Sequence, residues 1–215
     1  MRAHEEPSFG YPVVLALRNV PVLVVGAGPI AARKVAGLAA AGARVRVVAV
    51  DVSDALDPTT VVEVRERPYQ PDDLDGVRLV ITATGDAGTD ARVAADARAR
   101  GLWVNAADQP ADCSFILPAI ARRGRLSIAV STDGASPALA RRLRDRAGEL
   151  LTDDVLALAA ELAERRREVR AEGGSTELID WSPLIDGVLA PPAGRRDVRP
   201  AERPPADADG TDPTR

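Results

Sequence analysis

Residues 22–50 read VLVVGAGPIAARKVAGLAAAGARVRVVAV. The opening VLVV is a short, wholly apolar, β-rich run that reads as a buried strand. GAGPIAARKVAGLAAAGA follows; its alanine and leucine content and the closing Gly42 read as a helix ended by glycine. VRVVAV, residues 45–50, is the next strand. Strand, helix and strand within about 30 residues form the unit of a parallel sheet with a right-handed crossover. Between the first strand and the helix lies Gly26-Ala27-Gly28-Pro29-Ile30-Ala31, of the form G-x-G-x-x-A. Gly26 permits the tight turn, Gly28 lets a pyrophosphate approach the backbone, and Ala31 keeps the helix close to the sheet. The helix N-terminus adds free amide donors for phosphate. These features point to dinucleotide binding.

Outward from this unit the alternation continues. Residues 13–17 form an earlier apolar run, residues 61–64 a further strand, residues 79–83 (LVITA) another, residues 90–100 an alanine-rich helix and residues 102–105 (LWVN) a last strand. The pattern predicts an α/β, Rossmann-type, doubly wound parallel sheet over residues 1–112. From residue 113 the rhythm changes. Residues 126–131 read as a strand without a crossover helix. Ser136-Pro137 then starts a helix, with serine as the cap and proline in the first turn. Leu139, Leu143, Ala147 and Leu150 line one face of it. Residues 113–151 are therefore expected to be a strand–helix annex that pairs two chains. Residues 152–190 are expected to be a helical segment with Val155, Leu158, Leu162 and Val169 as its apolar set. Residues 191–215 hold six of the 17 prolines and are expected to be a disordered tail.

An acid is expected at the end of the second strand, where it can bond an adenosine ribose and disfavour the 2′-phosphate of NADP. Asp51 is that residue, which favours NAD; its alternative reading is a turn cap, since Ser53 and Asp54 follow. The net charge of −4 gives no electrostatic case for nucleic acid. No apolar run approaches the length of a membrane span, and one cysteine excludes an intramolecular disulfide. The expectation is a cytoplasmic protein without a membrane or nucleic-acid partner. Cys113 and His4 are the only residues of their kinds, so a Cys/His metal centre within one chain is not expected. Of 28 basic residues, Lys34 is the single lysine and the other 27 (28 − 1) are arginine. With His4 near the N-terminus and no lysine assigned to the site, a catalytic base should be a carboxylate or water.

Three stretches carry a family resemblance: residues 11–45, then VITATGD (80–86), then VNAADQPADCSFILPAIARRGRLSIAVSTDGASPALARRLR (104–144). They resemble the precorrin-2 dehydrogenase/sirohydrochlorin ferrochelatase family, the N-terminal module of sirohaem synthase. The combination Asn105, Asp108, Phe115 and Pro118 followed by GASPALAR is its specific part. The resemblance implies NAD-dependent oxidation of precorrin-2, a tetrapyrrole, to sirohydrochlorin. It adds ferrous iron as a second candidate substrate and implies a homodimer. It places NAD contacts at Pro29, Ile30, Val50 and Asp51 and the catalytic aspartate at Asp108. It aligns a phosphorylatable serine of the family with Thr132. Asp133 stands where the family usually has glycine, which leaves the shape and charge of that loop open.

Read on its own, Asp108 lies just past a strand, at the carboxyl edge where α/β sheets place ligands. Its plainer reading is a cap for the turn before Pro110. The substrate's carboxylates would find partners among Arg122, Arg123, Arg125, Arg141 and Arg142. Two other functions compete: a non-enzymatic NAD-sensing module, and a dehydrogenase for another small substrate, which would usually bring a histidine or lysine base.

Overall fold

The structure is a computed structural model that describes residues 10–190; the tail at residues 191–215 lies outside the described residues. Strands β1 (Pro21–Val25), β2 (Arg44–Ala49), β3 (Glu63–Glu66), β4 (Leu79–Thr82) and β5 (Trp103–Ala106) form one sheet in the order β3-β2-β1-β4-β5. Every pairing is parallel. Helices α1 (Pro29–Ala40) and α2 (Ala87–Ala99) make the crossovers. The expected Rossmann-type sheet is present.

The apolar runs follow from burial on both faces. Alternate residues of one strand point to opposite faces. Val22 and Val24 join Val45, Val47, Ile81 and the α1 residues Ala31, Val35 and Leu38 in one cluster. Leu23 and Val25 join Val48, Val80, Val104 and the α2 residues Val93, Ala94 and Ala97 in the other. Each buried valine or leucine contributes about 1.5–3 kcal/mol. Gly42 ends α1 at φ 82°, the left-handed conformation that glycine adopts without cost.

Three boundaries differ from the sequence reading. Residues 13–17 carry no strand; Leu17 packs on the core from a loop. The third strand lies two residues later than expected, because its register pairs Arg46 with Glu63 and Val47 with Val64. Helix α2 begins earlier, because Asp86 caps it by accepting from the Thr89 amide at 2.7 Å.

Beyond the sheet, β6 (Ala119–Arg123) and β7 (Leu126–Val130) form a two-stranded sheet, and α3 (Pro137–Gly148) follows. The two-residue link Gly124-Arg125 permits only an antiparallel pair. Strand β6 was not expected. Ser136 caps α3 as read from the sequence, accepting from the Leu139 amide at 3.2 Å. The chain divides into two compact units. Among the described residues, one comprises 10–122 with Ser127–Glu149; the other comprises Arg123–Leu126 and 150–190. The second unit holds α4 (Asp153–Ala171) and α5 (Ser182–Leu189), two separate helices within the stretch 152–190. Within it Arg123 donates to the Leu151 carbonyl at 2.7 Å and pairs with Asp153.

A buried carboxylate supports the edge of the first unit. The Asp73 side chain is fully buried and accepts from Arg65 at 2.8 Å, from Arg67 at 2.6 and 2.8 Å, and from the Gln70 amide at 2.9 Å. Burial pushes its pKa up, but Arg67, Gln70 and Arg65 together outweigh burial and bring it down to about 2. A carboxyl whose folded pKa lies below its unfolded value stabilises the fold above the unfolded pKa, and this is lost as pH falls through the folded one. Denaturant midpoints measured at pH 5 and pH 2 should therefore show about 2 kcal/mol lost from this group. In Asp73→Asn that part of the pH dependence should vanish.

Candidate active site

The sheet order reverses between β1 and β4, so the crevice at their carboxyl ends is where such a sheet receives a ligand. Its first wall is the glycine loop. Gly26 has φ 105°, and a Cβ there would stand 2.3 Å from the Ala83 carbonyl oxygen, so the turn requires glycine for the protein's own packing. Gly28 differs. It is the N-cap of α1 in extended conformation, and a Cβ there would meet nothing within 4 Å. The protein leaves the space above Gly28 open. No side chain caps α1, Pro29 occupies its first turn, and that turn has no acidic residue. An uncapped helix start without a competing carboxylate fits a pyrophosphate.

Beside this loop, Ile30 is 44% and Val50 65% exposed; these large apolar side chains at the rim offer contact to a ring system. Asp51 is exposed and makes no hydrogen bond within the described chain, whereas Ser53 accepts from the Ala55 amide. The capping in that loop is thus done by Ser53.

The loops at this edge are bonded to one another. The Gly26 amide donates to the Val48 carbonyl at 2.8 Å and the Ser53 amide to the Ala27 carbonyl at 3.2 Å. The loop after β4 is held by Asp90 of α2, which is 3% exposed. Asp90 accepts from the Thr82 hydroxyl, from the Thr84 amide at 3.1 Å and from the Thr84 hydroxyl at 2.9 Å. Sequence reading passed over Asp90, because an aspartate one turn into a helix reads as a solvated residue.

Asp108 follows β5 in a turn closed by the Gln109 amide on the Ala106 carbonyl. It is exposed, with φ 60°. Its carboxylate makes no hydrogen bond in the described chain, and the short 3-10 turn Pro110–Asp112 has Gln109 as its N-cap. Asp108 therefore does not cap that turn. The left-handed conformation, which aspartate and asparagine tolerate better than most residues, presents its carboxylate outward.

The floor beneath this turn is polar. Asn105, 6% exposed, donates to the Phe115 carbonyl at 3.0 Å and accepts from Lys34 Nζ of α1 at 3.1 Å. The Cys113 sulfur accepts from the Ala106 amide at 3.2 Å and lies 3.2 and 3.4 Å from the carbonyls of Ala106 and Gln109. It thus braces the Asp108 turn from below. Burial pushes the Cys113 thiol up, against the Ala106 amide and the Lys34 charge, so it is held as a thiol rather than a nucleophile. Lys34 corrects the expectation that no lysine stands in the site. Burial lowers its pKa, while the charges of Cys113 and Asp108 raise it and Arg33 lowers it further. The sequence held little signal for this, since the contact spans 71 residues.

In the loop before α3, the Thr132 hydroxyl accepts from the Ser136 amide at 3.1 Å and donates to its carbonyl at 3.2 Å. Asp133 has φ 51°, a left-handed conformation that glycine adopts without steric cost. Among the described residues, no group of three or more histidine, cysteine, aspartate or glutamate side chains is placed to hold a metal, and no helix is long and apolar enough to cross a membrane.

Comparison with known proteins agrees with this geometry. A family described as NAD(P)-binding matches residues 13–119, and one described as sirohaem biosynthesis protein, central, matches residues 123–146. Siroheme synthase of Methylobacillus flagellatus is 41% identical over 187 residues, covering 83% of this chain and 39% of its own length. That of Pseudomonas entomophila is 45% identical over 163 residues, covering 74% and 35%. The chain thus spans about two-fifths or less of the curated relatives it matches. The solved structure of SirC, a precorrin-2 dehydrogenase, superposes with a TM-score of 0.66 at 30% identity, covering 81% of this chain and 92% of that one. With the sheet and glycine loop inside the first match, β7 and most of α3 inside the second, and SirC covered over 92% of its length, this chain belongs to the precorrin-2 dehydrogenase family.

Proposed function

We propose that the chain oxidises precorrin-2 to sirohydrochlorin with NAD. The observation that carries the reading is the pairing, along one sheet edge, of a helix start left open above Gly28 with an outward-facing, unbonded Asp108. Bound NAD supplies the hydride acceptor. The substrate gives up a hydride from carbon and a proton from a neighbouring atom, and Asp108 takes the proton on a carboxylate oxygen. Gly26 and Gly28 shape the pyrophosphate site, Pro29 opens the helix above it, Ile30 and Val50 flank the nucleotide, and Asp51 accepts from the ribose hydroxyls. A carboxylate at Asp51 repels a 2′-phosphate, so NAD is the substrate form favoured over NADP. A purely NAD-sensing module would have no use for a carboxylate presented in this way.

The chain acts as a homodimer in this reading. Leu139 and Leu143 of α3 are 50% and 43% exposed, and Leu150, in the second unit, is 65% exposed. A second copy would cover the α3 face. The direct test is purified protein mixed with precorrin-2 and either NAD or NADP. The sirohydrochlorin absorption should appear, and faster with NAD. No turnover with either cofactor would refute the dehydrogenase reading, and equal rates would remove the ribose role from Asp51. Light scattering of the same sample should give twice the chain mass; a monomer would refute the dimer.

A further inference from the structure

We propose that Lys34 is a ligand-binding residue of this site, an ammonium held on Asn105 that takes an oxyanion of the bound ligand. Its Nζ donates to Asn105 Oδ1 at 3.1 Å, while the Asn105 amide nitrogen is engaged by Phe115 and Cys113. Those two contacts fix the amide with its oxygen toward the lysine. An ammonium has three donors, and this bond uses one. No carboxylate ion-pairs with Lys34 among the described residues, in contrast to Arg46, Arg65 and Arg67, each paired with a carboxylate. Lys34 is half-buried, and taking a cation out of water without a counter-ion is costly. Cys113, held as a thiol, brings no formal charge to offset it; Asp108 favours the ammonium and Arg33 opposes it. An oxyanion arriving with the ligand would supply the missing partner.

Two ligand groups carry that chemistry: a carboxylate of the tetrapyrrole and the pyrophosphate of NAD. Lys34 lies on the helix that starts at the glycine loop and bonds to the strand that leads to Asp108, so either is within the same crevice. The inference deepens the proposed function and rests on it for the identity of the tetrapyrrole.

Because Lys34 is the only lysine, an amine-selective acylating reagent has one side-chain target in the full chain, and mass spectrometry of its peptide reads the modification. Labelling should slow about 10-fold or more when sirohydrochlorin or NAD is bound, and the ligand that protects identifies the source. Equilibrium binding should agree. Lys34→Gln should weaken that same ligand about 10- to 100-fold, and Lys34→Arg should recover most of the affinity. Unprotected labelling by both bound ligands, or unchanged affinities in a folded Lys34→Gln, would overturn the proposal. Wild-type chain that binds NAD but not sirohydrochlorin would refute the tetrapyrrole reading, while the NAD arm would still decide the role of Lys34. Should Lys34→Gln fail to fold, the protection experiment on wild type decides alone.

Discussion

Asp108→Asn is expected to lose about 100- to 10,000-fold in the rate of NAD-dependent precorrin-2 oxidation, the usual cost of removing a general base. Its fold should be untouched. Asp108 is exposed, its side chain bonds to nothing in the described chain, and it sits at φ 60°, where asparagine is at least as comfortable as aspartate. The melting temperature and NAD affinity should therefore match wild type while turnover collapses. Asp108→Ala is a harsher variant, since alanine in a left-handed turn costs about 1 kcal/mol or more. A turnover near wild type in Asp108→Asn would remove the proton-accepting role. A loss of turnover accompanied by a lower melting temperature would mean that the turn, rather than the carboxylate, had been damaged.

The two glycines of the loop should separate structure from binding. Gly28→Val places a branched side chain in space the protein leaves open, so the chain should fold. Loss of a glycine N-cap costs about 1 kcal/mol or less. NAD affinity should fall at least about 100-fold, because the new methyl groups occupy the pyrophosphate position. Gly26→Ala should act first on the fold. Its Cβ would lie 2.3 Å from the Ala83 carbonyl oxygen at φ 105°, and strain plus steric conflict amount to about 2–6 kcal/mol of stability. Calorimetric titration with NAD and a thermal melt on both variants read this out. Undiminished NAD binding in folded Gly28→Val would rule out this loop as the cofactor site, and a wild-type melt for Gly26→Ala would contradict the contact with Ala83.

The strand–glycine–helix unit was readable because each of its features has a local cause. A valine run buried on both faces, glycines at a tight turn and a glycine stop all depend on residues a few positions apart. The same holds for Ser136-Pro137 at the start of α3. Strand β6 escaped notice because AIARR is only half-buried, in alternation, and takes its conformation from pairing with β7. Helix α5 is eight residues long and lacks a side-chain cap, so its sequence carries few boundary signals. At the site, the glycine loop and Asp108 could be named from the chain, the latter through family resemblance. Lys34, Asp90 and Cys113 could not. Each acts by a bond to a residue on another element, and nothing in a linear pattern records which helix face meets which strand end.

The stitching of the carboxyl edge has a thermodynamic consequence. Gly26 to Val48, Ser53 to Ala27, Ala83 to Val25, Ala107 to Thr82 and Thr84 to Asp90 are bonds made within the chain, before anything is bound. Ordering one backbone residue costs about 1–2 kcal/mol, and here that entropy is lost at folding rather than at association. A ligand meets a rim already in its receiving shape, so little of its contact energy is diverted to freezing loops. Recognition at this edge is then closer to docking onto a rigid surface than to coupled folding, with backbone shifts of about 1 Å or less, and its speed is set by encounter and orientation.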